Sequence, residues 1–72
     1  MQVRVKAEKI RKILAERNIS QNRLAIYLGT TSGYLSQMVT GKRNPSPNMR
    51  ERILKVLRGY QFNDIFEIKK VH

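Results

Sequence analysis

Apolar residues recur at intervals of three and four along most of the chain, the spacing of helix faces packed on a core. From Lys6 to Arg17 they are Ala7, Ile10, Ile13 and Leu14, with charged residues on the other faces. Glu8 with Lys12 and Lys12 with Glu16 sit one turn apart, so each pair is expected to add a few tenths of a kcal/mol. Asn18 is the expected stop of this first helix. Ser20 is placed to cap a second, whose buried side is Leu24, Ala25 and Leu28. Gly29 falls at its C-terminus, where a left-handed residue is wanted and glycine takes that conformation without steric penalty. Thr31 caps a third helix with Leu35, Met38 and Val39 inward and Gly33, Ser36, Gln37 and Thr40 outward. Gly41 closes it as Gly29 closed its predecessor.

KRNPSPN, residues 42 to 48, reads as a loop holding two prolines and two cations. Ser46 followed by Pro47 is a capped helix start with proline at its first position. Ile53, Leu54, Val56 and Leu57 carry this fourth helix to Gly59. In YQFNDIFEI, Asn63 is expected to cap a short fifth helix presenting Phe62, Ile65 and Phe66. That cluster either closes the core from below or forms part of a dimer contact. Residues 1 to 5, MQVRV, alternate but are too few to predict a strand, and the tail 69–72 is expected to fray. With no repeat, linker or low-complexity segment, residues 1–72 read as a single all-α domain of five helices.

Charge changes the picture from a small bundle to a bundle with a partner. The 72 residues hold 15 Lys and Arg against 5 Asp and Glu, a net charge of +10, and no cysteine. Between Glu16 and Glu51 there is no carboxylate, while Arg17, Arg23, Lys42, Arg43 and Arg50 all lie there. An excess of this kind favours a polyanion through phosphate contacts and counterion release. The absence of cysteine fits a reducing cytosol, and the short apolar runs leave no membrane span or secretory segment.

Helix, glycine turn and helix, with Ala25 four residues before Gly29 where the helices cross, is the helix-turn-helix spacing. The run from Ile19 to Pro45, through Gln21, Ala25, Gly29, Thr31, Leu35, Met38, Gly41, Lys42 and Arg43, resembles the phage repressor and Cro family, also called Xre-like. The other helices fall where that family has them, so the resemblance covers nearly the whole chain. It implies a lambda-repressor-like DNA-binding domain with its helix-turn-helix core at about residues 20–41.

The resemblance also implies roles. Ser32, Gly33, Ser36 and Gln37 would touch bases from the third helix in the major groove. Gln21, Arg23, Tyr34, Thr40, Lys42 and Arg43 would contact phosphates. Gln37 suits its position, because one amide offers both a donor and an acceptor to an adenine edge. Ser32 and Gly33 depart from relatives with longer polar side chains there. Leu14 and Val39 stand where some relatives place an ion pair, and an apolar contact avoids burying charge.

The function expected from the resemblance is a sequence-specific transcriptional regulator, a repressor of the phage or mobile-element switch type. It would act on double-stranded DNA, as a possible homodimer, in the cytoplasm of a bacterial cell or a phage-infected host. The alternative is a modulator that binds a companion repressor as an antirepressor, with Ile26 on its surface; an antitoxin-type regulator is a lesser variant. Tyr27 and Tyr34 as stacking platforms for single strands are disfavoured for want of a strand platform. Catalysis is excluded on the residues present. The one histidine is His72, and the five carboxylates show no metal-ligand or acid/base spacing. No catalytic residue, metal or cofactor is expected.

Overall fold

A computed structural model describes residues 2–70. The elements run β1 (Gln2–Val5), α1 (Ala7–Arg17), α2 (Gln21–Leu28), α3 (Ser32–Val39), α4 (Pro47–Val56), α5 (Phe62–Ile65) and β2 (Phe66–Lys69). The five expected helices are present around one core. Ile13, Leu24, Leu28, Met38, Ile53, Leu57, Ile65 and Phe66 are its largest fully buried side chains. Fully burying a side chain of this kind contributes about 1.5–3 kcal/mol relative to leaving it in water.

Local signals set the helix boundaries. Ser20, Thr31 and Ser46 accept the backbone N–H groups of Arg23, Tyr34 and Met49 at 3.0, 3.1 and 3.1 Å. Each satisfies an amide that has no partner within its own helix. Asn18, Gly29 and Gly41 end the first three helices in left-handed conformation, with φ of 57, 70 and 81°. At each, two backbone bonds fold the chain back: Ile19 N–H to Leu14 O and Asn18 N–H to Ala15 O, Thr30 N–H to Ala25 O and Gly29 N–H to Ile26 O, Lys42 N–H to Gln37 O and Gly41 N–H to Met38 O. This paired closure satisfies the last carbonyls and fixes the exit direction of the chain.

The domain is not purely helical. β1 and β2 form a two-stranded antiparallel sheet, pairing Gln2 with Lys69, Val3 with Ile68, Arg4 with Glu67 and Val5 with Phe66. The alternation in residues 2–5 is therefore a real strand, made stable by a partner more than sixty residues away in the chain. Phe66, expected on the fifth helix, instead opens β2, and its buried ring lies 5.0 Å from that of Phe62. Lys69, expected in a frayed tail, is held in the ladder; residues 71 and 72 lie outside the described residues.

Three smaller expectations are also corrected. α4 ends at Val56 rather than near Gly59. Arg17 from α1 donates to the carbonyls of Val56 (3.4 Å) and Arg58, holding the segment where the helix stops. The cap of α5 is Gln61, whose N–H donates to Asp64 Oδ2 at 2.8 Å, and not Asn63. Glu8 pairs with Arg11 at 3.2 Å, in place of Lys12. Of the two expected roles for Phe62, Ile65 and Phe66, core closure is the one seen, since Ile65 and Phe66 are fully buried.

Candidate nucleic-acid interface

α2 and α3 are joined by three residues, Gly29 to Thr31, and Gly29 is the pivot between them. A side chain at Gly29 would meet nothing closer than Arg52 Nη1 at 3.8 Å, so glycine is required there by its φ and not by space. Arg52 of α4 donates to the carbonyl of Leu28 at 3.3 Å, tying the C-terminus of α2 to the helix beneath it. Nothing local marks this contact in the sequence, because its partners lie 24 residues apart. Ala25 is buried in front of the pivot, and Leu24, Leu28, Leu35 and Met38 are all buried with it. The crossing is fixed by packing on the inside and by a left-handed residue at the bend.

The opposite face of α3 is left to solvent. Ser32, Gly33, Ser36 and Gln37 are all exposed, and nothing lies within 4 Å of where a Gly33 side chain would begin. The face carries no charge of its own. Gln37 uses its backbone carbonyl to close the helix, accepting from Lys42 and Arg43 N–H, and keeps its side-chain amide uncommitted among the described residues.

Exposed cations flank α3 along the chain. Lys42 and Arg43 follow Gly41 immediately and are exposed, as is Arg23 in the first turn of α2. Among the described residues the ion pairs are Arg11 with Glu8 and Lys69 with Glu67, so none of these three cations has an acidic partner. The Arg43 guanidinium lies 5.2 Å from the centre of the Tyr34 ring, a cation–π contact that holds the arginine against the end of the helix. Tyr34 is half-buried against the core. Gln21 is half-buried at the start of α2. Thr40 differs from expectation in one respect: its hydroxyl donates to the Ser36 carbonyl at 2.8 Å, so it can only accept from a ligand while that bond persists.

Other cations are engaged within the fold. Lys6 donates to the Asn63 carbonyl at 2.7 Å, and Lys9 lies 5.1 Å from the centre of the Tyr60 ring. Glu8 and Glu67 line the same shallow groove as Lys6, Lys9 and Lys12, which dilutes its positive charge. At the end of α3, by contrast, neither Lys42 nor Arg43 has an acidic partner among the described residues. Among the described residues no three of His, Asp and Glu come together to hold a metal ion, and no helix is long and apolar enough to cross a membrane.

Comparison with known families agrees with this geometry. A family model described as Helix-turn-helix matches residues 10–64, more than half of the chain, with α2, α3 and the turn at its centre. No curated protein and no solved structure matches the chain closely enough to count as similar. The sheet strands fall outside the matched residues, and the cores of all five helices fall within them. The chain belongs to the Xre/Cro-like helix-turn-helix family, whose members are DNA-binding transcriptional regulators.

Proposed function

We propose that this chain is a sequence-specific repressor of the Cro type, serving a phage or mobile-element switch, that places α3 in the major groove of double-stranded DNA. The observation that carries the reading is the uncharged, exposed face of α3 followed directly by Lys42 and Arg43, neither of them paired with an acid among the described residues. Cations at the rim hold phosphates and set the register, while neutral donors and acceptors at the centre read base edges. Ser32, Ser36 and Gln37 supply those groups, and the bare Gly33 lets the helix backbone approach the groove closely. Gln21, Arg23, Tyr34, Thr40, Lys42 and Arg43 contact the flanking phosphates, Thr40 as acceptor of a bridging water and Tyr34 with Arg43 as one unit.

The test is site selection from a random duplex library, followed by binding of wild type and Gln37→Ala to the selected sequence. Loss of one bidentate base contact costs about 1–3 kcal/mol and relaxes preference at one base position. Unchanged affinity and unchanged preference would refute the assignment of α3 as the reading helix.

One observation favours a second reading, a modulator that binds a companion repressor. Ile26 and Tyr27 are 68 and 53% exposed on α2, and they border a groove shared with Arg52 and Lys55 of α4. Neighbouring exposed apolar groups of this size are more typical of protein contacts than of a surface facing phosphates. Mixing the chain with a candidate companion repressor, without DNA, separates the readings. A stable hetero-complex lost in Ile26→Ser supports the modulator, and no complex at micromolar concentration retires it.

A further inference from the structure

The groove between α2 and α4 has one apolar wall and one cationic wall. We infer that it is a docking site for an acidic amphipathic helix of another protein, with apolar side chains seated on Ile26 and Tyr27 and carboxylates on Arg52 and Lys55. The inference rests on the second reading above and deepens it, because it names the chemistry that the partner presents.

The apolar wall is not explained by folding. Among the described residues three large apolar side chains are left exposed, and two of them, Ile26 and Tyr27, are neighbours here. The inward side of α2 is already filled by Leu24, Ala25 and Leu28, all buried. Neither Ile nor Tyr is a strong helix former, so propensity gives no reason for them at solvent positions. The cationic wall is Arg52 and Lys55, one turn apart on α4, with the half-buried Val56 beside them. Neither cation has an acidic partner among the described residues. Glu51 stands on the same helix but does not line the groove. Arg52 is also held in place, since its Nη1 donates to the Leu28 carbonyl at 3.3 Å. A guanidinium fixed in this way loses less freedom when a carboxylate arrives.

These two walls select the occupant. A nucleic-acid backbone would satisfy the cations and give Ile26 and Tyr27 no apolar partner. A second copy carries the same net charge of +10 and is repelled. An extended peptide finds no strand edge here, because both walls are helices. A helix brings its own backbone bonds, places apolar residues at i, i+3, i+4 and i+7 along α2, and turns carboxylates toward α4. The net positive charge of the chain steers such a partner in.

The test uses the full chain without DNA, so its outcome is separate from that of the DNA-binding reading. A display library of helical peptides is screened at about 0.15 M salt, where distant charges are screened from one another. Peptides with an apolar stripe flanked by carboxylates should be enriched, and the best of them is then synthesised and its binding measured by fluorescence anisotropy. Ile26→Ser should weaken it at least about tenfold by removing buried apolar area. Lys55→Glu should weaken it about fivefold, and Lys12→Glu, the same change of net charge outside the groove, less than about twofold. A scrambled peptide of equal charge should bind poorly. Enrichment of neutral or basic peptides, or of none, would overturn the inference. So would binding indifferent to Ile26→Ser, or weakened equally by Lys55→Glu and Lys12→Glu. Self-association of the chain that Ile26→Ser abolishes would assign the groove to a second copy instead. A companion-repressor complex lost in Ile26→Ser but indifferent to Lys55→Glu would keep the second reading and refute the acidic helix. Acidic peptides that meet every expectation while no companion repressor binds would do the reverse.

Discussion

Replacing Gly29 by alanine isolates the pivot on which the presentation of α3 depends. The residue sits at φ 70° and ψ 31°, and an added Cβ would lie 3.8 Å from its nearest neighbour, an ordinary contact. The penalty is therefore conformational alone. Holding an L-residue in the left-handed region costs about 1–2 kcal/mol. Narrowing the unfolded ensemble by removing a glycine returns about 0.4–1 kcal/mol. The net is a destabilisation of about 1 kcal/mol, which in a domain of this size lowers Tm by about 4–8 °C. The same substitution at Gly33 carries the opposite sign. That residue is exposed, lies inside α3, and has open space around it. There alanine should stabilise by about 0.5–1 kcal/mol through helix propensity. Urea denaturation of wild type, Gly29→Ala and Gly33→Ala, with m held constant, measures both. If Gly29→Ala were as stable as wild type, or both variants shifted in the same direction, the left-handed pivot would be wrong.

Ser46→Ala removes the cap bond to Met49 N–H at the start of α4 and should cost about 1 kcal/mol by the same denaturation assay. The Tyr60 hydroxyl ionises above its ordinary value of 10.0, first because its surroundings desolvate it and then because Glu16 faces it, accepting its hydrogen bond at 3.3 Å. A pKa raised by folding gives stability that is fully present below about pH 10 and is lost as pH climbs through the raised value. Tyr60→Phe should therefore flatten the alkaline limb of the Tm–pH curve relative to wild type, and an unchanged limb would refute the coupling. Removing either Lys42 or Arg43 by alanine should weaken duplex binding about equally on all sequences and make the salt dependence shallower by about one logarithmic unit per unit log salt.

What could be read from the sequence was whatever local interactions decide. Ser20, Thr31 and Ser46 cap because their side chains reach amides three residues on. Gly29 and Gly41 end helices because of their own backbone freedom. The outward face of α3 follows from the same spacing that buries Leu35, Met38 and Val39. Long-range pairing escaped that reading. Four residues of alternation do not announce a strand, and Phe66 continues a helical spacing from Phe62 and Ile65, so β2 looked like more of α5. Its extended form is chosen by β1, from the other end of the chain. The bond from Arg52 to Leu28 and those from Arg17 behind α4 were hidden for the same reason. Within the candidate interface, the inward donation of the Thr40 hydroxyl depends on a rotamer, which residue type alone does not specify.

The most direct measurement is an amide chemical-shift map of the folded chain titrated with its selected duplex. Presentation of α3 to DNA predicts the largest changes at Ser32 through Thr40 and at Lys42 and Arg43, fading at high salt. Changes centred on Lys6, Lys9 and Lys12, with α3 silent, would contradict it.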